Sequence, residues 1–280
     1  FLSKTVFIAA GGYVLNDYFD IRIDKINRPE KLIVTNEISK RTAMLLHQIL
    51  TGVGIAVGLL LAYYTRSLTL AFIFIVIPGL LWFYSASYKR QFLTGNLTVA
   101  FLAAMAVLVV AITEVAMLRR EYANLIFETP IPGQFYGWLG GFALFSFLTT
   151  WIREIIKDIQ DEAGDREMEC RTMPIKWGVK RTKMFLYLLI AVTIAALYAA
   201  NAMYIEFVGN MTLNYITFGL VLPFLALAYL IYVAKSPKEF HQAATMAKFI
   251  MLIGVLYGFI FYFLMAKTYG ISLFNLFVIK

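Results

Sequence analysis

Asn16, Asp17, Asp20 and Asp24 follow directly on an apolar run, and the spacing of their acids returns far downstream in Asp158, Asp161 and Asp165. In both sets the aspartates stand at relative positions 0, 3 and 7. At about 100° per residue, a helix holds three such carboxylates within an arc of roughly 60°. Asn16 lies four residues before Asp20 and eight before Asp24, so it joins the first stripe. Each set sits where a hydrophobic segment meets a basic loop. A carboxylate in a bilayer costs about 2.5–3.5 kcal/mol at mid-depth and less toward the interface, so these groups need compensation. Two facing acidic stripes are compensated most simply by a hard divalent cation, and magnesium keeps coordination positions for substrate phosphates. The pattern points to a diphosphate site.

An allylic diphosphate joins a charged head to a long hydrocarbon tail. Magnesium on its phosphate oxygens would stabilise the leaving group as the carbon–oxygen bond breaks. The protein would hold the metal, keep water from the allylic cation and place a second substrate's nucleophile beside it. Lysines and arginines near the acids would take the remaining phosphate charge, arginine being suited to bidentate contact.

Such a site needs an apolar scaffold. The 280 residues are 61% hydrophobic, with mean hydropathy +0.74, against about 45–50% apolar for a soluble domain. This reads as a single all-α, polytopic transmembrane domain over residues 1–280. The net charge of +8 does not indicate nucleic acid, because the basic residues flank apolar spans instead of forming a patch with aromatic platforms. Cys170 is the one cysteine, and His47 and His241 are far apart, so neither a disulfide nor a histidine metal site follows. His47 is expected to be a helix residue with a local hydrogen-bond partner.

Eight spans are visible. They run about Phe1–Leu15, Thr42–Tyr64, Leu68–Tyr88, Asn96–Leu118, Tyr136–Ile156, Met184–Ile205, Leu213–Val233 and Ala244–Ala266. The first is short unless Asn16 to Asp20 extend it, and a helix upstream of Phe1 is expected to be missing. The second carries Gly54 and Gly58 at a spacing that favours close packing. The third is expected to kink or break at Pro78-Gly79. Alternation puts both acidic sets on one side, whose loops hold nineteen lysines and arginines against six on the other. By the positive-inside rule the motif side is cytoplasmic, in an inner or plasma membrane.

Asn16-Asp17-x-x-Asp20-x-x-x-Asp24 and Asp158-x-x-Asp161-x-x-x-Asp165, with Tyr84-Ser85, Lys89 and Gly95-Asn96, resemble the UbiA superfamily of intramembrane prenyltransferases. The resemblance covers nearly the whole chain. It implies nine transmembrane helices around a central cavity open to the cytoplasm, two magnesium ions and a prenyl diphosphate donor. By that likeness Asn16, Asp20, Asp24, Asp158, Asp161 and Asp165 are metal-side residues, with Asp20 and Asp161 central to catalysis. Lys89 and Arg90 become diphosphate ligands, with Arg28 and Arg153 as further candidates. Asp17 is left to orient a basic residue or to bind through water.

The stretches Asp24-Lys25-Ile26-Asn27-Arg28-Pro29-Glu30-Lys31 and Arg153 to Ile159 are similar to the branch that moves geranylgeranyl onto geranylgeranylglyceryl phosphate. An aromatic acceptor of quinone biosynthesis is the alternative within the family. Outside it, a cation-coupled secondary transporter would also carry membrane acids, but near mid-bilayer and not at span ends beside basic loops. The basic segments Ile21 to Arg41 and Asp158 to Lys183 are expected to cap the cavity, each through a short helix, and to bring Arg28, Lys31 or Arg171 to the diphosphate.

Overall fold

The structure, a computed structural model, describes residues 2–27, 33–204, 207, 209–270, 272–273 and 277–278. It is helical nearly throughout: α1 (Leu2–Asn27), α2 (Lys40–Thr65), α3 (Leu68–Ala86), a 3-10 turn at Tyr88–Arg90, α4 (Thr94–Tyr122) and α5 (Ile131–Gln160). Two short helices follow, α6 (Glu162–Glu167) and α7 (Met173–Trp177), then α8 (Val179–Tyr204). A helix of mixed pitch comes next, made of α9 (Met211–Asn214), a π segment at Tyr215–Val221 and α10 (Leu222–Val233). α11 (Pro237–Tyr269) and a minimal antiparallel ladder of β1 (Ser272–Leu273) on β2 (Phe277–Val278) end the described chain.

Seven of these helices are long and apolar enough to cross a membrane. α1, the eighth expected span, is helical along its whole length but is not among the seven. Lys4 and the polar residues from Asn16 to Asp20 dilute its apolar stretch. Two other expectations change. Ile21 to Asn27 is helix and not loop, because nothing before Pro29 stops α1. α3 runs through Pro78 without a break, since the ring forfeits only one ladder bond in a largely apolar helix.

The helices form two compact units, Phe1–Phe147 with Asp161–Gly178, and Leu148–Gln160 with Val179–Lys280. In the first, Lys89 meets Asp20, so the end of α3, the start of α4 and the acidic part of α1 share one end. Tyr64 and Arg120 meet at the other end. In the second unit the Lys183 ammonium donates to the carbonyls of Tyr232 (3.2 Å) and Ala234 (2.7 Å), which brings the start of α8 to the end of α10. Up-and-down alternation therefore holds within each unit.

Caps and small residues set the helix boundaries and contacts. Ser39 caps α2 by accepting from the Thr42 N–H at 3.1 Å, and Ser236 with Glu239 forms a reciprocal capping box on α11. Gly11 of α1 accepts from the buried His47 ring at 2.9 Å, so His47 ties α2 to α1 as a satisfied structural residue. At Gly58 a Cβ would fall inside the ring of Phe74, which is buried between α2 and α3.

Gly58→Leu should therefore lower stability by about 1–3 kcal/mol through overpacking. Gly52→Leu, where a Cβ meets nothing within 4 Å, should leave the thermal unfolding of the detergent-solubilised protein almost unchanged.

Candidate functional site

The first acidic motif lies on one continuous helix, as its spacing requires. On α1 the Asn16 amide donates to Asp20 Oδ2 at 2.8 Å, one turn apart, and Asp20 is buried at 6% exposure. Asp24 is half-buried a turn further on, and Asp17 is exposed on another face. The second motif does not share one helix. Asp158 belongs to α5, which ends at Gln160, and Asp161 is the junction from which α6 starts afresh, its carbonyl accepting from the Asp165 N–H at 3.1 Å. An aspartate at a helix start with Glu162 and Asp165 in the first turn is a favourable arrangement, since that turn attracts negative charge.

That break turns α6 back onto α1. Asp165 is buried there, and its carboxyl is pushed up from 3.8 to about 6, first by burial and then by the neighbouring Asp161 charge; Lys89 pulls it down, and Asp20 adds a smaller push upward. Asp20, Asp161 and Asp165 thus share one electrostatic neighbourhood. The Lys89 ammonium forms an ion pair with Asp20 and reaches Asn16 Oδ1 at 3.4 Å. Among the described residues no three Asp, Glu, His or Cys side chains converge as a ready ligand cluster. The ammonium gives Asp20 the countercharge that a cation would otherwise give.

Lys89 is held in place by its backbone. A Cβ on Gly95 would stand 2.7 Å from Lys89 Cα and 2.8 Å from the Tyr88 carbonyl oxygen, so the 3-10 turn rests directly on the first turn of α4. The Arg171 N–H donates to the Arg90 carbonyl at 2.8 Å, which fixes the loop after α6 to the same turn. Trp177 packs edge-on against Phe92 and Lys176 lies over that ring, so α7 lies against the same segment. Among the described residues Arg90 Nε is buried without a hydrogen-bond partner, an orphaned donor suited to an anion. The donor set fits a hard cation with a phosphate ligand: carboxylate and amide oxygens for the metal, and ammonium and guanidinium groups for the anion.

Of the residues singled out by sequence, the first unit brings Asn16, Asp20, Asp161, Asp165, Lys89, Arg90 and Arg171 to the α1–α6 end. Arg28 and Lys31 lie outside the described residues. Asp158 and Arg153 belong to the second unit, where Arg153 pairs with the buried Glu154 at 2.5 Å and Lys157 reaches the same carboxylate at 3.3 Å. The role of Glu154 as their shared anion was not read from the sequence, although the Glu-x-x-Lys spacing signals its contact with Lys157. The backbone role of Gly95 had no local signal.

A family model described as the UbiA prenyltransferase family matches residues 1–253. The chain belongs to that family. It is a prenyltransferase and a multi-pass integral membrane protein. The digeranylgeranylglyceryl phosphate synthase of Ignicoccus hospitalis is 30% identical over 255 residues, 89% of this chain and 77% of that protein. The enzyme of the same name from Sulfurisphaera tokodaii is 32% identical over 221 residues, 77% and 71% of the two chains. Among solved structures, a UbiA homologue from Aeropyrum pernix K1 superposes with TM-score 0.67 at 17% identity, covering 91% of this chain and 87% of that one. A UbiA homologue from Archaeoglobus fulgidus bound to DMAPP and Mg2+ gives 0.55 at 17% identity, with 91% and 88% covered. These two likenesses establish the UbiA fold.

Two outcomes are expected of this geometry. Gly95→Ala should displace the Lys89 turn and weaken binding of a prenyl diphosphate by about tenfold, the scale of a lost charge-assisted contact, as measured by competition with labelled ligand. In metal-free buffer the raised carboxyl of Asp165 keeps a proton that the unfolded chain releases. Stability should fall as pH rises from about 4 to about 6 and then level off, and Asp165→Asn should flatten that slope in thermal unfolding scans.

Proposed function

We propose that this prenyltransferase moves a geranylgeranyl group from its diphosphate to the hydroxyl of a prenylglyceryl phosphate, forming an ether lipid and releasing diphosphate. The observation that carries the reading is that Asp165 feels the charges of Asp161, Asp20 and Lys89 at one end of the first unit, where Lys89 also pairs with Asp20. The lipid acceptor is favoured by the similarity to digeranylgeranylglyceryl phosphate synthases over most of the chain.

Asn16, Asp20, Asp24, Asp161 and Asp165 of the first unit would hold magnesium, two ions in this reading. Bound there, magnesium supplies the charge that stabilises the departing diphosphate. Lys89 has a flexible stem that allows its ammonium to exchange Asp20 for a phosphate oxygen. Arg90 offers its unpartnered Nε–H to the same anion, and Arg171 stands on the segment hydrogen-bonded to Arg90. Asp20 and Asp161 hold the reacting end of the donor in register. α6 and α7 cover the acidic end and keep water from the allylic cation. In this reading the motif end faces the cytoplasm.

The test is transfer of radiolabelled geranylgeranyl diphosphate by purified protein with magnesium, offered either geranylgeranylglyceryl phosphate or an aromatic quinone precursor. Ether product from the first alone is expected, and prenylated aromatic product would replace the acceptor assignment. Asp20→Asn and Asp161→Asn should each lower the rate by at least about 100-fold with the bundle still folded. Chelation should stop transfer and added magnesium should restore it.

A further inference from the structure

The end of the first unit remote from the acids carries a feature that prenyl transfer does not use. α2 and α3 are joined by Arg66 and Ser67 alone. Arg66 closes α2 in the left-handed region, φ 52° and ψ 35°, its N–H directed at the carbonyls of Ala62 and Tyr63. Glycine or asparagine ordinarily takes that position, because a Cβ crowds the adjacent carbonyl. Here an arginine holds it against the backbone preference.

Beside this turn is an open cavity of about 660 Å3, lined by Leu59, Tyr63, Tyr64, Arg66, Leu68 and Arg120 with their smaller neighbours. Arg120, near the end of α4, lays its guanidinium 3.4 Å from the centre of the Tyr64 ring. Stacking covers one face of the guanidinium and leaves its N–H edge to bind an anion. Both arginines are exposed, and among the described residues no ion pair engages either one. Two guanidinium groups therefore flank one cavity without a carboxylate to neutralise them.

The walls indicate what kind of anion fits. Tyr63 is 85% exposed and Leu68 88% exposed, at the ends of two membrane spans where headgroups and upper acyl chains are the solvent. A free phosphate gains nothing from such a rim, whereas a lipid places its phosphate on the arginines and its chains along Leu59, Leu68 and Ala71. The 26 residues of α2 span about 39 Å, so this cavity lies a bilayer's width from Lys89 and is not the diphosphate site.

We propose that this cavity binds the phosphate headgroup of an anionic glycerolipid in the leaflet opposite the acidic motifs, with Arg66 and Arg120 as its ligands. The inference is independent of which acceptor the enzyme prenylates. The full chain, delipidated in detergent, would be titrated with phosphatidylglycerol, phosphatidylcholine or inorganic phosphate while thermal unfolding is followed. Phosphatidylglycerol should raise the Tm of the wild type, and the other two should not. Arg66→Gly and Arg120→Gln should each weaken the apparent affinity for phosphatidylglycerol by about tenfold, and together they should abolish the shift. Arg66→Gly relieves the left-handed backbone, so its lipid-free Tm should not fall, and loss of binding in that variant cannot be assigned to misfolding. The proposal is overturned by an equal phosphatidylglycerol shift in the double variant. It is also overturned if phosphatidylcholine or inorganic phosphate reproduces the wild-type shift.

Discussion

Carboxylates buried beside one another repel, and each loses hydration that a cation, a proton or hydrogen-bond donors must replace. At the α1–α6 end of the first unit that constraint governs the surrounding structure. Asp20 takes the ammonium of Lys89. Asp165 answers by holding its proton up to about pH 6. The polypeptide around these groups is shaped to keep the charges together. Gly95 lets the Lys89 turn rest on α4, the Arg171–Arg90 backbone bond ties the returning loop to that turn, and the break at Asp161 delivers Asp165 to the site.

How much of this could be read from residues alone varied with the range of the cause. The helical stripe of Asn16, Asp20 and Asp24 was legible because one continuous helix carries it, and the spans were legible because apolar length is a local property. His47 behaves as its type suggests, a buried ring satisfied by a backbone carbonyl. The second triplet misled, since equal spacing implies one face only if the helix persists, and α5 stops at Gln160. Of the two outcomes expected at Pro78, a kink or a break, the break does not occur, as an apolar helix tolerates one missing bond. Gly95 was singled out only through the family resemblance, and its physical reason was not legible because it is the backbone of Lys89, which packs against it.

Membership of the UbiA family explains why charge and apolarity are combined in this way. A prenyl donor is anionic at one end and hydrocarbon along its length, so its enzyme must hold cations at the end of a lipid-immersed bundle. The long helices need no polar network for their own stability, and polar groups within them concentrate where chemistry or helix contact requires them. The arginines at the far end of α2 and α4 add a second charged station, where the membrane itself supplies the anion.

The central claim is that the buried carboxylates form a cation site completed by a diphosphate. Manganese, a paramagnetic substitute for magnesium, reports this directly by electron paramagnetic resonance on purified protein titrated with a non-hydrolysable prenyl diphosphate. Bound manganese should appear when the ligand is added, and Asp165→Asn should lose most of it while remaining folded. Undiminished ligand-dependent binding in that variant would exclude Asp165 from the cation site.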